Sequence, residues 1–185
     1  FAFGSNTFTV QRAPEIITNL KLAQEMLKRK RIEYDDYLYL KSYARSSEMI
    51  EAEYGRSGSV KFGPKTLTDI RLSGETSGNY LTGRSMEVEA GRFLSADDES
   101  YARPVCVIGY DVSKELFPYE NPRAKWLAVN DRKYRLIGTV KGMGKILGMS
   151  LDSFVRIPIT TFRKYYSISS RSLTINVKAR DAESL

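Results

Sequence analysis

The chain contains no histidine and a single cysteine, Cys106, in 185 residues. Without histidine the commonest metal ligand and general base near neutral pH is missing, and every Ser-His or Cys-His triad is excluded. One cysteine allows neither an intramolecular disulfide nor a multi-cysteine metal site. It sits in the apolar run Val105-Cys106-Val107-Ile108, where a small buried residue is the expected role. No stretch approaches the roughly 18 apolar residues that suggest a membrane span. No basic segment followed by an apolar core opens the chain, so no signal peptide is expected. Phe1 stands where a start methionine would, so a piece of a longer protein is expected.

What is present is the composition of a folded protein, 42% hydrophobic and 28% charged, with length for one domain or two small ones. The net charge of +7 is unevenly spread. Residues 1–120 carry 16 Lys and Arg against 18 Asp and Glu, whereas residues 121–185 carry 13 against 4. Such asymmetry suits nucleic acid or an anionic lipid surface, and equally a solvated basic face. The twelve tyrosines are dispersed. The nearest basic-aromatic cluster, Phe162-Arg163-Lys164-Tyr165-Tyr166, falls on a predicted short helix whose aromatics would pack on a sheet. No helix-turn-helix, zinc or RNP-like signature accompanies it, so a soluble basic module binding nucleic acid is the alternative reading and not the leading one.

Periodicity outlines the elements. Residues 6–11 alternate as a strand, and Pro14 opens a helix over 15–31 with Ile16, Leu20, Ala23 and Leu27 at helical spacing. Lys28-Arg29-Lys30-Arg31 suits the end of that helix, and Glu33, Asp35 and Asp36 the start of the next, over 34–45, with Tyr37, Leu38 and Leu40 expected inward. Strands are predicted over 49–54, 59–62 and 66–72, with Gly55, Gly58, Gly63 and Pro64 as turns and 74–83 as a loop or a single helical turn. Ser95 and Asp98 form a capping box that accounts for Asp97 and Asp98, and Asp111 is expected to cap a helix over 112–117 that Pro118 stops. Asn130-Asp131 signals a hairpin, and Gly142, Gly144 and Gly148 mark a flexible loop. A strand over 154–159, a Thr-capped helix over 160–166 and a half-buried alternating strand over 173–180 complete an α+β order.

None of the chemical motifs survives a spacing test. Around Gly142-Met143-Gly144-Lys145-Ile146 a phosphate loop would need a glycine where Thr139 stands and Ser or Thr where Ile146 stands. The same glycines are misspaced for a dinucleotide fingerprint. Asp97, Asp98 and Glu99 are adjacent, whereas Ca²⁺ loops place ligands at alternating positions around a glycine. An enzyme working with carboxylates alone, on glycans for example, stays open at this level, because such pairs come from separated segments.

The ordered phrases carry more than any one of them. Gly91-Arg92-Phe93-Leu94-Ser95-Ala96-Asp97-Asp98, Pro104-Val105-Cys106-Val107-Ile108-Gly109, Leu116-Phe117 and the hairpin 126–129/134–140 stand in a fixed order. Gly4 to Val10, Tyr34 to Leu40, Gly74 to Tyr80 and Leu151 to Pro158 flank them. Together these resemble the periplasmic core domain of MacB-type, FtsX-like and LolC-like ABC transporter permeases. Pro118, Ala124 before Lys125, and the segment 13–32 depart from that pattern.

The resemblance implies an α+β fold in two parts. Residues 1–72 and 150–185 would form a βαβ-type porter-like part from both chain ends, and 73–149 an inserted mainly-β, sabre-like part. It implies a periplasmic domain between the first and second membrane helices of an inner-membrane permease. ATP hydrolysis would lie on a separate cytoplasmic domain or subunit, and the domain would pass that motion outward. The implied partners are the cognate ABC ATPase, a second permease subunit, and a periplasmic adaptor, a lipoprotein or a cell-wall hydrolase activator. It implies no catalytic residue, no cofactor and no metal, and it assigns no partner-binding residue.

Overall fold

Two long strands joined by a two-residue turn form the spine of the fold in the computed structural model, which describes residues 6–13, 20–77, 86–119, 122, 124–146 and 148–180. Strand β2 (Ser47–Phe62) runs antiparallel to β3 (Lys65–Glu75), and Gly63 makes the turn at φ 56°. Gly55 and Gly58, expected as turns, lie inside β2, paired with Ser73 and Ile70. The irregularity between Gly58 and Val60 is filled from outside. Ser59 N donates to Asn130 Oδ1 (2.8 Å), and Asn130 N donates back to Ser59 O (3.0 Å).

Nine strands make one mixed sheet. The others are β1 (Thr7–Val10), β4 (Val88–Gly91), β5 (Val105–Ile108), β6 (Trp126–Val129), β7 (Arg132–Val140), β10 (Phe154–Pro158) and β11 (Thr174–Ala179). Their order is β1-β11-β2-β3-β10-β5-β7-β4, with β6 bridging β2 and β7. Strand β10 lies parallel to β3 and antiparallel to β5, so the late segment is threaded into the middle of the sheet. The β6–β7 turn has Asn130 and Asp131 at φ 44° and 64°, the doubly left-handed pattern a tight hairpin demands. Where a flexible loop is expected after β7, β8 (Lys145–Ile146) and β9 (Met149–Ser150) form a small separate ladder.

Helices α2 (Tyr34–Tyr43), α4 (Tyr110–Leu116) and α5 (Ile159–Tyr165) cover one face of the sheet. Tyr37, Val112, Leu116 and Phe162 there meet Ile50, Tyr54, Leu72, Ile108, Val155, Ile157 and Val177 in the main core. Gly74 permits this approach, since a Cβ on it would overlap the Phe162 side chain. Leu38 corrects the sequence expectation at 47% exposed, because a 3.6-residue repeat that points Tyr37 inward turns its neighbour out. Helix α1 (Leu20–Lys28) ends one turn early, and its expected start at residues 14–19 lies outside the described residues.

Three further expectations are corrected. Helix α4 starts at Tyr110 with Gly109 as N-cap, because Gly109 packs against the Asp152 carbonyl. Asp111 sits inside the first turn and accepts a hydrogen bond from Ser150 Oγ. Helix α5 has no threonine cap, since Thr160 and Thr161 instead donate to Glu99 O and Arg103 O. Strand β11 is not half-buried, because Ile175 and Val177 enter the main core on one face and Asn176 on the other is covered too, its Oδ1 accepting from Thr9 Oγ1 (2.7 Å). Gly74 and Glu75, expected in a loop, continue β3, and residues 78–85 lie outside the described residues.

Candidate functional site: the charged face of the sheet

Strand alternation sends every second residue to the face away from the main core. On β2, β3, β10 and β11 those residues are Glu51, Glu53, Arg71, Ser73, Glu75, Arg156 and Asn176. Glu51, Ser73, Glu75, Arg156 and Asn176 are buried. Toward the other edge the same face turns apolar, with Phe93, Leu94, Val105, Val107, Val140 and Phe154 in a second cluster.

Glu53 and Glu75 stand directly opposite each other on β2 and β3, an arrangement that repels unless cations separate the pair. Two arginines do so. Arg156 Nη1 donates to Glu75 Oε2 at 2.7 Å, and Arg71 Nη2 donates to Glu53 Oε1 at 3.1 Å. The first pair is almost dry, its side chains 8% and 4% exposed, while Arg71 is mostly in solvent. Burial pushes the Glu75 carboxyl above its ordinary range, and Arg156 pulls in the opposite sense without reversing it. Glu75 Oε1 and Arg156 Nε find no hydrogen-bond partner among the described residues. Arg156 also lies 4.7 Å from the Phe154 ring centre, so one guanidinium joins the polar end of this face to its apolar end.

A second cluster fastens the segment after β4. Asp98 belongs to the short helix α3 (Ala96–Ser100), and Ser95 caps α3 with the expected capping box. Its carboxylate is fully buried and accepts from Arg92 Nη2 (3.0 Å), Ser95 N (3.0 Å) and Ser95 Oγ (2.9 Å), with Arg103 Nη1 at 3.4 Å. Burial opposes its charge, but the bonds from Arg92 and Ser95 outweigh burial and hold the carboxyl far below its usual range. The acids 97–99 do separate jobs, since Glu99 accepts from Ser77 N (2.6 Å) and only Asp98 enters the cluster. Gly91 and Gly138 let β4 and β7 touch, and a Cβ on Gly138 would overlap Arg92 O. The Cys106 thiol is wholly buried, and that burial raises its pKa.

The loop before β10 hangs on Asp152, whose carboxylate accepts from Met143 N (2.9 Å) and Gly144 N (2.8 Å). An open groove of about 930 Å³ lies beside it, with Lys65, Thr66, Thr68, Asp111, Lys114 and Ser150 among its lining. Among the described residues no three acidic or sulfur ligands converge, and no helix is long and apolar enough to cross a membrane. Glu53 and Glu75 are the facing carboxylates that an acid/base reading would require, yet each is held by a guanidinium. The charged face is therefore a fastening, holding β10 to β3. Sequence reasoning passed over Glu75 and Arg156. The available signal was a lone arginine in the apolar run Phe154-Val155-Arg156-Ile157.

This α+β architecture is shared with two crystallised extracytoplasmic domains. The crystallised periplasmic region of MacB from Actinobacillus actinomycetemcomitans superposes with a TM-score of 0.78 at 24% identity, over 96% of this chain and 76% of that one. The extracellular domain of the noncanonic ABC-type transporter YknZ from Gram-positive bacteria gives 0.69 at 20% identity, over 83% and 75%. The chain belongs to the MacB-like periplasmic core domain family, whose profile it matches over residues 1–185. The chain is therefore a MacB-like periplasmic core domain. The macrolide export ATP-binding/permease protein MacB of Aggregatibacter actinomycetemcomitans is 28% identical over 187 residues, 96% of this chain and 27% of that protein. Its namesake from Azoarcus sp. (strain BH72) is 34% identical over 96 residues, 51% and 15%. The chain thus spans about a quarter or less of these curated relatives.

Proposed function

We propose that this domain relays ATP-driven motion of a membrane-embedded permease to partners outside the membrane. The observation that carries the reading is the nine-stranded sheet with β10 threaded into its middle and pinned by the buried Arg156–Glu75 pair. A continuous hydrogen-bonded sheet moves as one body, which is what a relay needs. The first and last described strands support it, because Ala179 N donates to Asn6 O (2.8 Å), which brings Asn6 and Ala179 side by side. In this reading ATP is hydrolysed on a cytoplasmic domain or subunit, and a second permease subunit completes the machine. The outward partner is a periplasmic adaptor, a lipoprotein or a hydrolase activator. Residues 1–72 with 150–185 form the porter-like part and residues 73–149 the inserted part.

The test replaces residues 1–185 of the full-length protein by a flexible linker. Basal ATP hydrolysis should persist while the ATP-dependent work outside the membrane is lost. Unchanged transport or release activity after the replacement would rule the relay out.

A further inference from the structure

The surplus of positive charge after residue 120 is gathered in part at one end of the sheet. Arg56 on β2 lies 5.1 Å from the Tyr166 ring centre, and Arg132 at the start of β7 lies 4.7 Å from that of Tyr165. Lys164 is 5.4 Å from the same Tyr165 ring, and Arg171 Nη1 donates to Gly55 O at 3.1 Å. Arg56 and Arg132 both act electrostatically on Tyr166, Arg56 acts on Arg171, and Arg132 and Lys164 share the Tyr165 ring, so these four cations form one patch. None of the four takes part in an ion pair among the described residues. Asp131 adjoins Arg132 in sequence but forms no ion pair with it.

Like charges gathered without acids weaken a fold, so such a patch is retained against its own repulsion. Burial, and then the neighbouring Arg56, lower the pKa of Arg171, and its Nε is buried without a hydrogen bond. The aromatic rings hold the cations in place, which reduces the entropy lost when an anion docks. Arg132 and Lys164 meet the Tyr165 ring and Arg56 the Tyr166 ring, so the cations form a strip over two residues rather than a cradle about one ring. A strip suits several successive carboxylates better than one phosphate. Arg171 precedes β11, whose far end meets Asn6, so the patch lies roughly 20 Å along the strand from the Asn6–Ala179 contact.

We infer that this strip is a docking surface for an acidic segment of a partner protein, a run of Asp and Glu side chains, on the side turned away from the membrane attachment. The orientation rests on the proposed reading, in which both ends lead to the membrane. The binding itself does not rest on it.

The probe is a fluorescein-labelled oligoglutamate of about 20 residues, titrated with the 185-residue chain by fluorescence anisotropy at low salt. The patch variant is Arg132→Glu with Lys164→Glu, both exposed. A charge-matched control is Lys114→Glu with Lys145→Glu, also exposed and on the groove or its rim. Circular dichroism checks that each variant folds. The patch variant should bind roughly tenfold or more weakly and the control within about twofold of the parent chain. Inorganic phosphate at millimolar concentration should not displace the peptide, and vesicles containing phosphatidylglycerol should not bind the chain through the patch. Equal losses in both variants, no binding by the parent chain, displacement by phosphate, or patch-dependent binding to the vesicles would each overturn the inference. These outcomes are independent of the linker replacement, so the relay and the docking surface can fail separately.

Discussion

Replacing Arg156 by methionine removes the guanidinium that holds Glu75 while nearly preserving the length of the side chain. Both partners are almost wholly buried, 8% and 4% exposed, so solvent offers little relief. Breaking such a pair leaves an uncompensated buried charge and costs about 3–5 kcal/mol. Replacing both partners, Arg156→Met with Glu75→Leu, removes the charge altogether and should come within about 1 kcal/mol of the parent chain or exceed it in stability. The sign of the pH dependence follows from the direction of the shift. Glu75 is raised above 4.5 in the folded protein, so the folded state holds its proton more tightly than the unfolded state does. Its contribution therefore becomes more favourable as pH falls through the window between its folded value and 4.5. Without Arg156 that window widens. The penalty of Arg156→Met should grow between pH 5.5 and pH 8, by at most about 1.4 kcal/mol per pH unit within the window. Urea unfolding followed by circular dichroism at the two pH values measures it. A single variant within about 1 kcal/mol of the parent at pH 8, or a double variant as damaged as the single, would refute the assignment of this pair as a buried fastening.

Three further outcomes follow from the same structure. Asp98→Asn should cost about 1–2 kcal/mol, less than a dry pair, because Arg92 and Arg103 are 49% and 44% exposed. Since the Asp98 carboxyl is lowered on folding, its stabilisation is present above about pH 4 and lost as pH falls below it, so the parent and variant unfolding curves should converge in acid. Gly74→Ala should destabilise by about 2 kcal/mol or more through overlap with Phe162, whereas Gly55→Ala, with open space around it, should stay within about 0.5 kcal/mol in urea unfolding. Cys106 should resist a thiol reagent such as Ellman's in the native chain and react only at the rate of unfolding, so rapid native labelling would contradict its burial.

Local signals made part of this structure legible from the residues. The capping box at Ser95, the Asn130-Asp131 turn and the apolar run around Cys106 each have a short-range cause, and each stands where the sequence puts it. Gly55 and Gly58 misled because a glycine that permits a turn also permits a long strand, and only pairing with Ser73 and Ile70 decides between them. Thr160 and Asp111 misled similarly, because tertiary partners, Glu99 O and Ser150 Oγ, claimed side chains that a local rule assigns to caps. The charged face was not legible. Glu75 and Arg156 are 81 residues apart, and nothing short of the β3–β10 pairing brings them together. The basic strip was half legible, since its charge was visible but Arg56 joins it only through the fold of β2.

The most direct test of the relay is a pair of distances in the full-length protein, reconstituted in lipid vesicles with its ATPase. Spin labels at Tyr39, one on each of two copies, report motion between domains. Labels at Thr68 and Ser169 within one copy report deformation of the sheet; all three sites are exposed. The account predicts that ATP shifts the first distance by several ångström while the second stays within about 2 Å. An unchanged first distance, or a second distance that moves as much as the first, would contradict it.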